Sequence, residues 1–410
     1  MAGLTLPGGI GRALKHRDLR FYLVANLQSN ICTWAARLAT AWLTWHLTES
    51  TSWLGIMVFA ELAPMVLFSP LGGAIVDRYG AVHCSRLCQL SLVPIALGPT
   101  ILTFTGLITP YLLLIFCMMQ GAVAAVNNPA HLSMLGDVVP PEDMRPAVTL
   151  QAGIVQTSRF LGPMVAGLII PHGGPAWVFA LSVVGFFFYW LLLLPIKANK
   201  IERAEQRGLG AEFLDGVRYA RSNAIIGSVL IFSVILGVLI RPVIDLFPAF
   251  SDLVFARGAG GLSILLSAMG IGSICGVITM ALRDRSSGLD KLYTVSSATS
   301  ALLLGAFALT TDFWLAVGIV VLFGFSNNIS GICGQTLIQS EVMPAMRARI
   351  LSMLGLTFRA VPAIGALVMG ITAETFGLAP PVVTAAVLCL IAWPLLSAKL
   401  RRAGSASAGG

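Results

Sequence analysis

The feature that most constrains this chain is a series of apolar runs too long to be the buried elements of a water-soluble domain. About twelve stretches hold the roughly 20 mostly apolar residues that a helix needs to cross the hydrocarbon of a bilayer. They lie at 21–46, 53–76, 85–106, 110–136, 147–170, 175–196, 223–248, 260–283, 291–311, 313–339, 347–371 and 378–399. Only 11% of the 410 residues are charged and 57% are hydrophobic, with a mean hydropathy of +0.86. A soluble domain carries charge on roughly a quarter of its residues. The expected fold is therefore all-α and integral to the membrane, with twelve transmembrane helices.

The charges set the expected orientation. If the N-terminus and every even-numbered loop share one side, that side holds 21 of the 26 Lys and Arg. The other side holds only Arg257, and Arg37, Arg159, Arg241 and Arg359 fall inside spans. Positive loops stay on the cytoplasmic side, so both termini are expected there, in the plasma membrane (the inner membrane of a bacterium). The net charge of +8 is spread over short loops and forms no continuous basic face, which argues against a nucleic-acid partner. The seven cysteines have no metal-ligand spacing and read as free thiols. The expected organisation is a cytoplasmic amphipathic segment 1–20, a bundle 21–196, a cytoplasmic linker 197–222, a second bundle 223–399 and a flexible tail 400–410.

An internal repeat supports that division. Thr157-Ser158-Arg159-Phe160-Leu161-Gly162-Pro163 in the fifth span resembles Thr357-Phe358-Arg359-Ala360-Val361-Pro362 in the eleventh. Each follows a cytoplasmic turn, Pro141-Glu142-Asp143-Met144-Arg145 in one case and Pro344-Ala345-Met346-Arg347 in the other. Two pseudo-symmetric sets of six spans are how many transporters build alternating access, with substrate held near the midplane.

Between the second and third apolar runs lies a short polar stretch, Gly72-Gly73-Ala74-Ile75-Val76-Asp77-Arg78-Tyr79-Gly80. It reads as a charged turn in water between two spans in lipid. With Gly73, Asp77, Arg78 and Gly80 in register, it resembles the loop-two signature of the major facilitator superfamily. It departs from that signature at Ala81 and Val82, where basic residues are usual, and His83 and Arg86 are the nearest replacements. The enterobactin-exporter and macrolide-efflux-like branch is the one it is most similar to, through Arg17-Asp18-Leu19-Arg20-Phe21, Ala41-Trp42-Leu43-Thr44-Trp45-His46, Asn128-Pro129-Ala130, Val139-Pro140-Pro141-Glu142-Asp143 and Asp215-Gly216-Val217-Arg218-Tyr219. The acid that many members carry before the first-span tryptophan is missing, because Cys32-Thr33 precede Trp34. The resemblance implies a secondary transporter with a twelve-helix fold. It also implies that Asp77 caps the cytoplasmic start of span eleven and gates the cycle, with Arg78 and Arg145 in the same charge cluster.

Charge inside a span is costly unless it is paired or wetted. Arg37 and Glu61 lie at similar depth in spans one and two and are expected to pair. Arg241 and Asp245 are four apart and are expected to pair on one helix. Both pairs read equally well as structural salt bridges. Arg159 and Arg359 have no evident acidic partner and are expected to make the cavity positive, which would suit an anionic or amphiphilic substrate. Trp34 and Phe358 are candidates for stacking on it, and Asn127 and Gln156 for hydrogen-bonding it. The glycines and Pro163 of span five resemble a degenerate exporter motif and favour efflux.

No GxxxxGK[ST] loop is present, so a proton or other ion gradient is the expected drive, with no cofactor. Glu61 is the first choice of proton carrier, with Arg37 controlling it; Asp245 and His131 are the others. The leading function is a monomeric secondary exporter of a small anionic or amphiphilic compound. The alternatives are a lysophospholipid transporter or flippase, and a non-transporting receptor or scaffold on the same fold. No nucleophile–base–acid set or metal spacing suggests an enzyme.

Overall fold

The computed structural model describes residues 10–196, 209–283, 288–343 and 346–408. Among these residues all regular structure is helical. After a single turn, Ile10–Ala13, come α1 (Arg17–Thr48), α2 (Thr51–Tyr79), α3 (Ala81–Phe104), α4 (Pro110–Val138), α5 (Met144–Gly173) and α6 (Pro175–Leu193). A helix over Leu209–Ser222 then leads to α7 (Ala224–Leu239), α8 (Gly258–Ala281), α9 (Leu289–Leu309), α10 (Phe313–Glu341), α11 (Arg347–Phe376) and α12 (Ala379–Ala408). Ten of these twelve are long and apolar enough to cross a membrane. The other two are α1, interrupted by Asn26, Gln28, Asn30 and Arg37, and α12, whose apolar stretch is Ala379–Pro394. The helices turn large apolar side chains outward, with Leu132 74%, Leu67 71% and Leu168 65% exposed. A soluble bundle would bury such surface, whereas lipid covers it at no cost.

Local chemistry explains the helix starts. Thr109 accepts a hydrogen bond from Leu112 N, with Pro110 at the first helical position of α4. Asn223 accepts from Ile225 N and Ile226 N at 3.0 Å each, and Asp312 accepts from Leu315 N at 2.7 Å.

Two expectations change. The stretch 72–80 is not an open turn. Helix α2 continues through Tyr79, and the break is confined to Gly80, whose φ of +87° suits a residue without Cβ. The tail 400–410 carries helical backbone as far as Ala408. Leucine, arginine and alanine, all good helix formers, dominate its start at Leu400-Arg401-Arg402-Ala403.

The chain forms two compact units, residues 1–47 with 60–204, and residues 48–59 with 205–410. In the first, Tyr22, Tyr189, Met134 and Leu19 are fully buried. In the second, Tyr293, Cys333, Ile338 and Ile350 lie in one core cluster. The start of α2 belongs to this second unit. There Glu374 of α11 accepts from Ser50 Oγ at 3.0 Å, Thr51 Oγ1 at 3.1 Å and Ser52 N at 3.2 Å, which caps α2 from another helix.

Candidate functional site

In the first unit, Trp34 of α1 sits between two guanidinium groups. Arg37 Cζ lies 5.5 Å from the Trp34 ring centre, and Arg159 Cζ lies 5.3 Å from it. Arg37 is one turn along α1 from Trp34, and Arg159 arrives from α5. That crossing depends on Gly162, because a side chain there would collide with Trp34 Cβ, Ile31 O and Ala35 N. Arg37 Nε also lies 3.9 Å from Glu61 Oε2, with both side chains about one-third exposed (36% and 33%). Depth alone anticipates this pairing. It does not anticipate that Arg159 shares the indole.

A guanidinium over tryptophan contributes about 0.5–1 kcal/mol where solvent reaches it and about 2 when it does not. Two guanidiniums lie over this one indole, and one of them has the Glu61 carboxylate beside it. Asn127 of α4 and Gln156 of α5 are both partly buried. The buried Oδ1 of Asn127 accepts no hydrogen bond among the described residues. A buried amide oxygen in that state is poised to receive an N–H or O–H from a ligand.

The second unit holds a related contact. Arg241 Cζ lies 3.9 Å from the centre of the Phe358 ring on α11, and Phe358 stays 37% exposed. Arg241 and Asp245 do not stand on α-helical backbone. After Leu239 the chain tightens to a 3₁₀ helix over Arg241–Leu246 and loosens to a π-helical turn over Phe250–Val254. Pro242 and Pro248 lack the N–H that a continuous α-helix would use. The i,i+4 geometry expected for Arg241 and Asp245 is therefore not the local one. The side chains of Arg145 and Arg359 lie outside the described residues.

At the C-terminal end of α2, Asp77 and Arg78 are exposed, Gly73 and Gly80 are partly buried, and the Arg78 guanidinium lies 5.5 Å from the centre of the Tyr79 ring. Arg86 turns out to have a structural commitment. Its Nε and Nη2 donate to the carbonyls of Leu193, Leu194 and Ile196, at 2.7–3.1 Å. A cation forked onto the last carbonyls of α6 satisfies acceptors that the helix leaves open.

Sequence reasoning also missed two charged contacts, one before α5 and one at the start of α11. Asp143, just before α5, accepts from Arg12 Nε and pairs with His16 Nε2 at 2.8 Å. These bonds, His16 first and Arg12 second, hold its carboxyl below the usual carboxylate range. In the second unit Arg349 of α11 reaches Asp215 Oδ2 on the Leu209–Ser222 helix at 3.4 Å. The paired signals, an acid and a base far apart in the chain, are visible only once the fold brings them together.

Comparison with known proteins follows the same lines. The family described as transmembrane secretion effector matches residues 12–408. An enterobactin exporter, EntS, of Shigella boydii serotype 18 is 26% identical over 308 residues, which is 74% of this chain and 73% of that protein. Two solved structures share the fold at low identity. The nucleoside transporter NupG has a TM-score of 0.72 at 17% identity, covering 93% of this chain and 99% of its own. A bacterial homologue of the human lysosomal transporter Spinster, inward-facing and occupied, has a TM-score of 0.73 at 14% identity, covering 94% and 96%.

Proposed function

This chain belongs to the transmembrane secretion effector family, a branch of the major facilitator superfamily, and from that membership we propose the details of an exporter that moves a small anionic or amphiphilic compound. The class itself, a multi-pass secondary active transporter, is what the family and its relatives do. The lysophospholipid-flippase and scaffold readings are not favoured by those relatives.

One observation carries the substrate class: Arg37 and Arg159 both lie over a single indole, with Glu61 beside Arg37. An acidic substrate would meet two guanidiniums, an aromatic face at Trp34, and the unpartnered oxygen of Asn127. Gln156 adds a neutral hydrogen-bonding group. In the second unit we assign Arg241 and Phe358 to the substrate path, with Asp245 four residues on from Arg241; Arg359 is assigned to it from the sequence alone.

We read Gly73, Asp77, Arg78, Gly80 and Arg145 as the gating cluster, and Glu61 as a carrier of the coupling proton under the control of Arg37. The protein works as a monomer in the bacterial inner membrane, with both termini cytoplasmic.

The test is a thermal-shift panel on the purified full chain. It contains enterobactin, an acidic drug, a lysophospholipid and a cationic dye. The acidic compounds should raise the melting temperature, and Arg159→Ala should weaken that response. Stabilisation by the cationic dye alone, or an unchanged response in Arg159→Ala, would overturn the proposed substrate class.

A further inference from the structure

Besides the arginine–indole site, the first unit contains a buried polar cluster centred on His131 of α4. Three side-chain groups converge on its Nδ1: Asn26 Nδ2 at 3.3 Å, Tyr22 Oη at 3.4 Å and Tyr189 Oη at 3.3 Å. They come from α1 and α6, and α5 joins through Gln151, whose Nε2 donates to Tyr22 Oη at 2.9 Å. Tyr22 and Tyr189 are 0% exposed. One ring nitrogen therefore ties together four helices.

The direction of each hydrogen bond can be worked out from one fixed end. Asn30 Nδ2 donates to the backbone carbonyl of Asn26 at 2.8 Å. A carbonyl can only accept, so that nitrogen is placed, and it also donates to Asn26 Oδ1 at 2.6 Å. Asn26 must then turn its Nδ2 toward Tyr22 Oη, at 3.1 Å, and toward His131 Nδ1. Tyr22 Oη receives N–H groups from both Asn26 and Gln151, which uses its two acceptor positions. What remains is its own O–H, which faces Nδ1 and the carbonyl of His131 at 3.4 Å each. Nδ1 consequently faces donors and has to be bare, with the ring proton on Nε2.

A second proton, added at Nδ1, would point N–H at the Asn26 N–H and at Tyr22 Oη, whose lone pairs are taken, leaving Tyr189 Oη at 3.3 Å to accept it only by turning its own O–H away from Nδ1. Relieving that opposition requires the Asn26 amide to turn, and the turn would set Asn26 Nδ2 against Asn30 Nδ2. The disturbance therefore passes to α1, α5 and α6 together. The titratable groups facing His131 are Tyr22 from α1 and Tyr189 from α6. Cys88 of α3 lies beside Tyr189, and Asp137 lies further along α4 itself.

We propose that His131 is a proton-coupling residue of the transport cycle, because a proton at its Nδ1 opposes the Asn26 and Tyr22 hydrogen bonds that tie these four helices together and forces Tyr189 to reverse its own. The proton comes from the aqueous phase and returns to it; no other reactant is needed. This rests on the reading of the chain as a gradient-driven exporter, but its structural half can be tested without any substrate.

The first measurement is NMR of the full chain, labelled at histidine and tyrosine, in lipid nanodiscs from about pH 8 to about pH 3.5. The His131 signal is identified by its loss in His131→Asn. It should show bare Nδ1 at neutral pH and convert to imidazolium on acidification, and the Tyr22 and Tyr189 signals should move in step. A proton on Nδ1 at neutral pH, or tyrosine signals indifferent to the conversion, overturns the proposal. The second measurement is enterobactin export from proteoliposomes under an imposed pH gradient. Wild type should depend on the gradient, and His131→Asn should lose that dependence by about tenfold. If His131→Asn does not fold, Tyr189→Phe takes its place and should shift the pH midpoint. His172→Asn, on the exposed end of α5, is the control. Gradient dependence unchanged in His131→Asn or Tyr189→Phe sinks the coupling role alone. Export by no variant, wild type included, sinks the exporter reading instead while the NMR result still stands.

Discussion

The two units solve the same problem with the chemistry reversed. In the first, the aromatic ring comes from α1 (Trp34) and a guanidinium from α5 (Arg159). In the second, the guanidinium follows directly on α7 (Arg241) and the ring comes from α11 (Phe358). The charged latches are reversed too. The N-terminal segment offers bases, Arg12 and His16, to an acid before α5, whereas the Leu209–Ser222 helix offers an acid, Asp215, to a base on α11. The repeat therefore preserves where a pair must form, while leaving open which helix supplies which partner. Close backbone approach is kept without reversal. A side chain at Gly121 would meet the Glu61 carbonyl in the first unit, and one at Gly324 would meet the Met269 carbonyl in the second.

The largest effects test that close approach. Gly121→Leu and Gly324→Leu should each destabilise their unit by about 1–3 kcal/mol or more, because the obstacle is backbone rather than a movable side chain. Thermal unfolding in nanodiscs measures this, and a drop in only one variant would end the equivalence. Next come the rings. Trp34→Ala releases two guanidiniums and Phe358→Ala only one. Binding of the acidic compound that stabilises wild type should fall by about 1–2 kcal/mol in the former and about half that in the latter. Equal losses would mean the second guanidinium at Trp34 is idle. A double-mutant cycle of Asp215→Asn with Arg349→Gln should return a coupling of about 0.5 kcal/mol, since Asp215 is 48% exposed.

The smallest effect is pH-dependent and sharpens the latch comparison. The Asp143 carboxyl is held below its ordinary range by His16 and Arg12. Its contribution is complete above the unfolded carboxylate value of about 4 and is lost as pH falls through the lower folded value. Amide exchange of the Ile10–Ala13 turn should quicken on that acidification, and Asp143→Asn should remove the pH dependence. An identical acid response in Asp143→Asn would assign it elsewhere.

Hydropathy made the helices legible, because length and apolarity alone decide what can cross a bilayer. Depth along neighbouring helices made Arg37 and Glu61 legible as a pair. The partner of Arg159 was not, since it depends on where α1 and α5 cross. Gly162, one turn beyond Arg159, was the available hint, as a small residue marks the point of closest approach. The backbone under Arg241 and Asp245 was read as uniform α-helix and is 3₁₀, as Pro242 and Pro248 already argued. Around 72–80 the apolar signal stops at Val76, but helix formation does not require apolar residues, so α2 runs on to Gly80. Asn26, Asn30, His131 and Gln151 each stood out as polar groups in apolar surroundings. Their convergence on one nitrogen needed three dimensions.

Arg86 has a mechanical consequence. By gripping three carbonyls at the end of α6, it rivets the last residues before the inter-unit connection to the side of α3. Any pull arriving along that connection is delivered to α3 rather than spent unwinding α6.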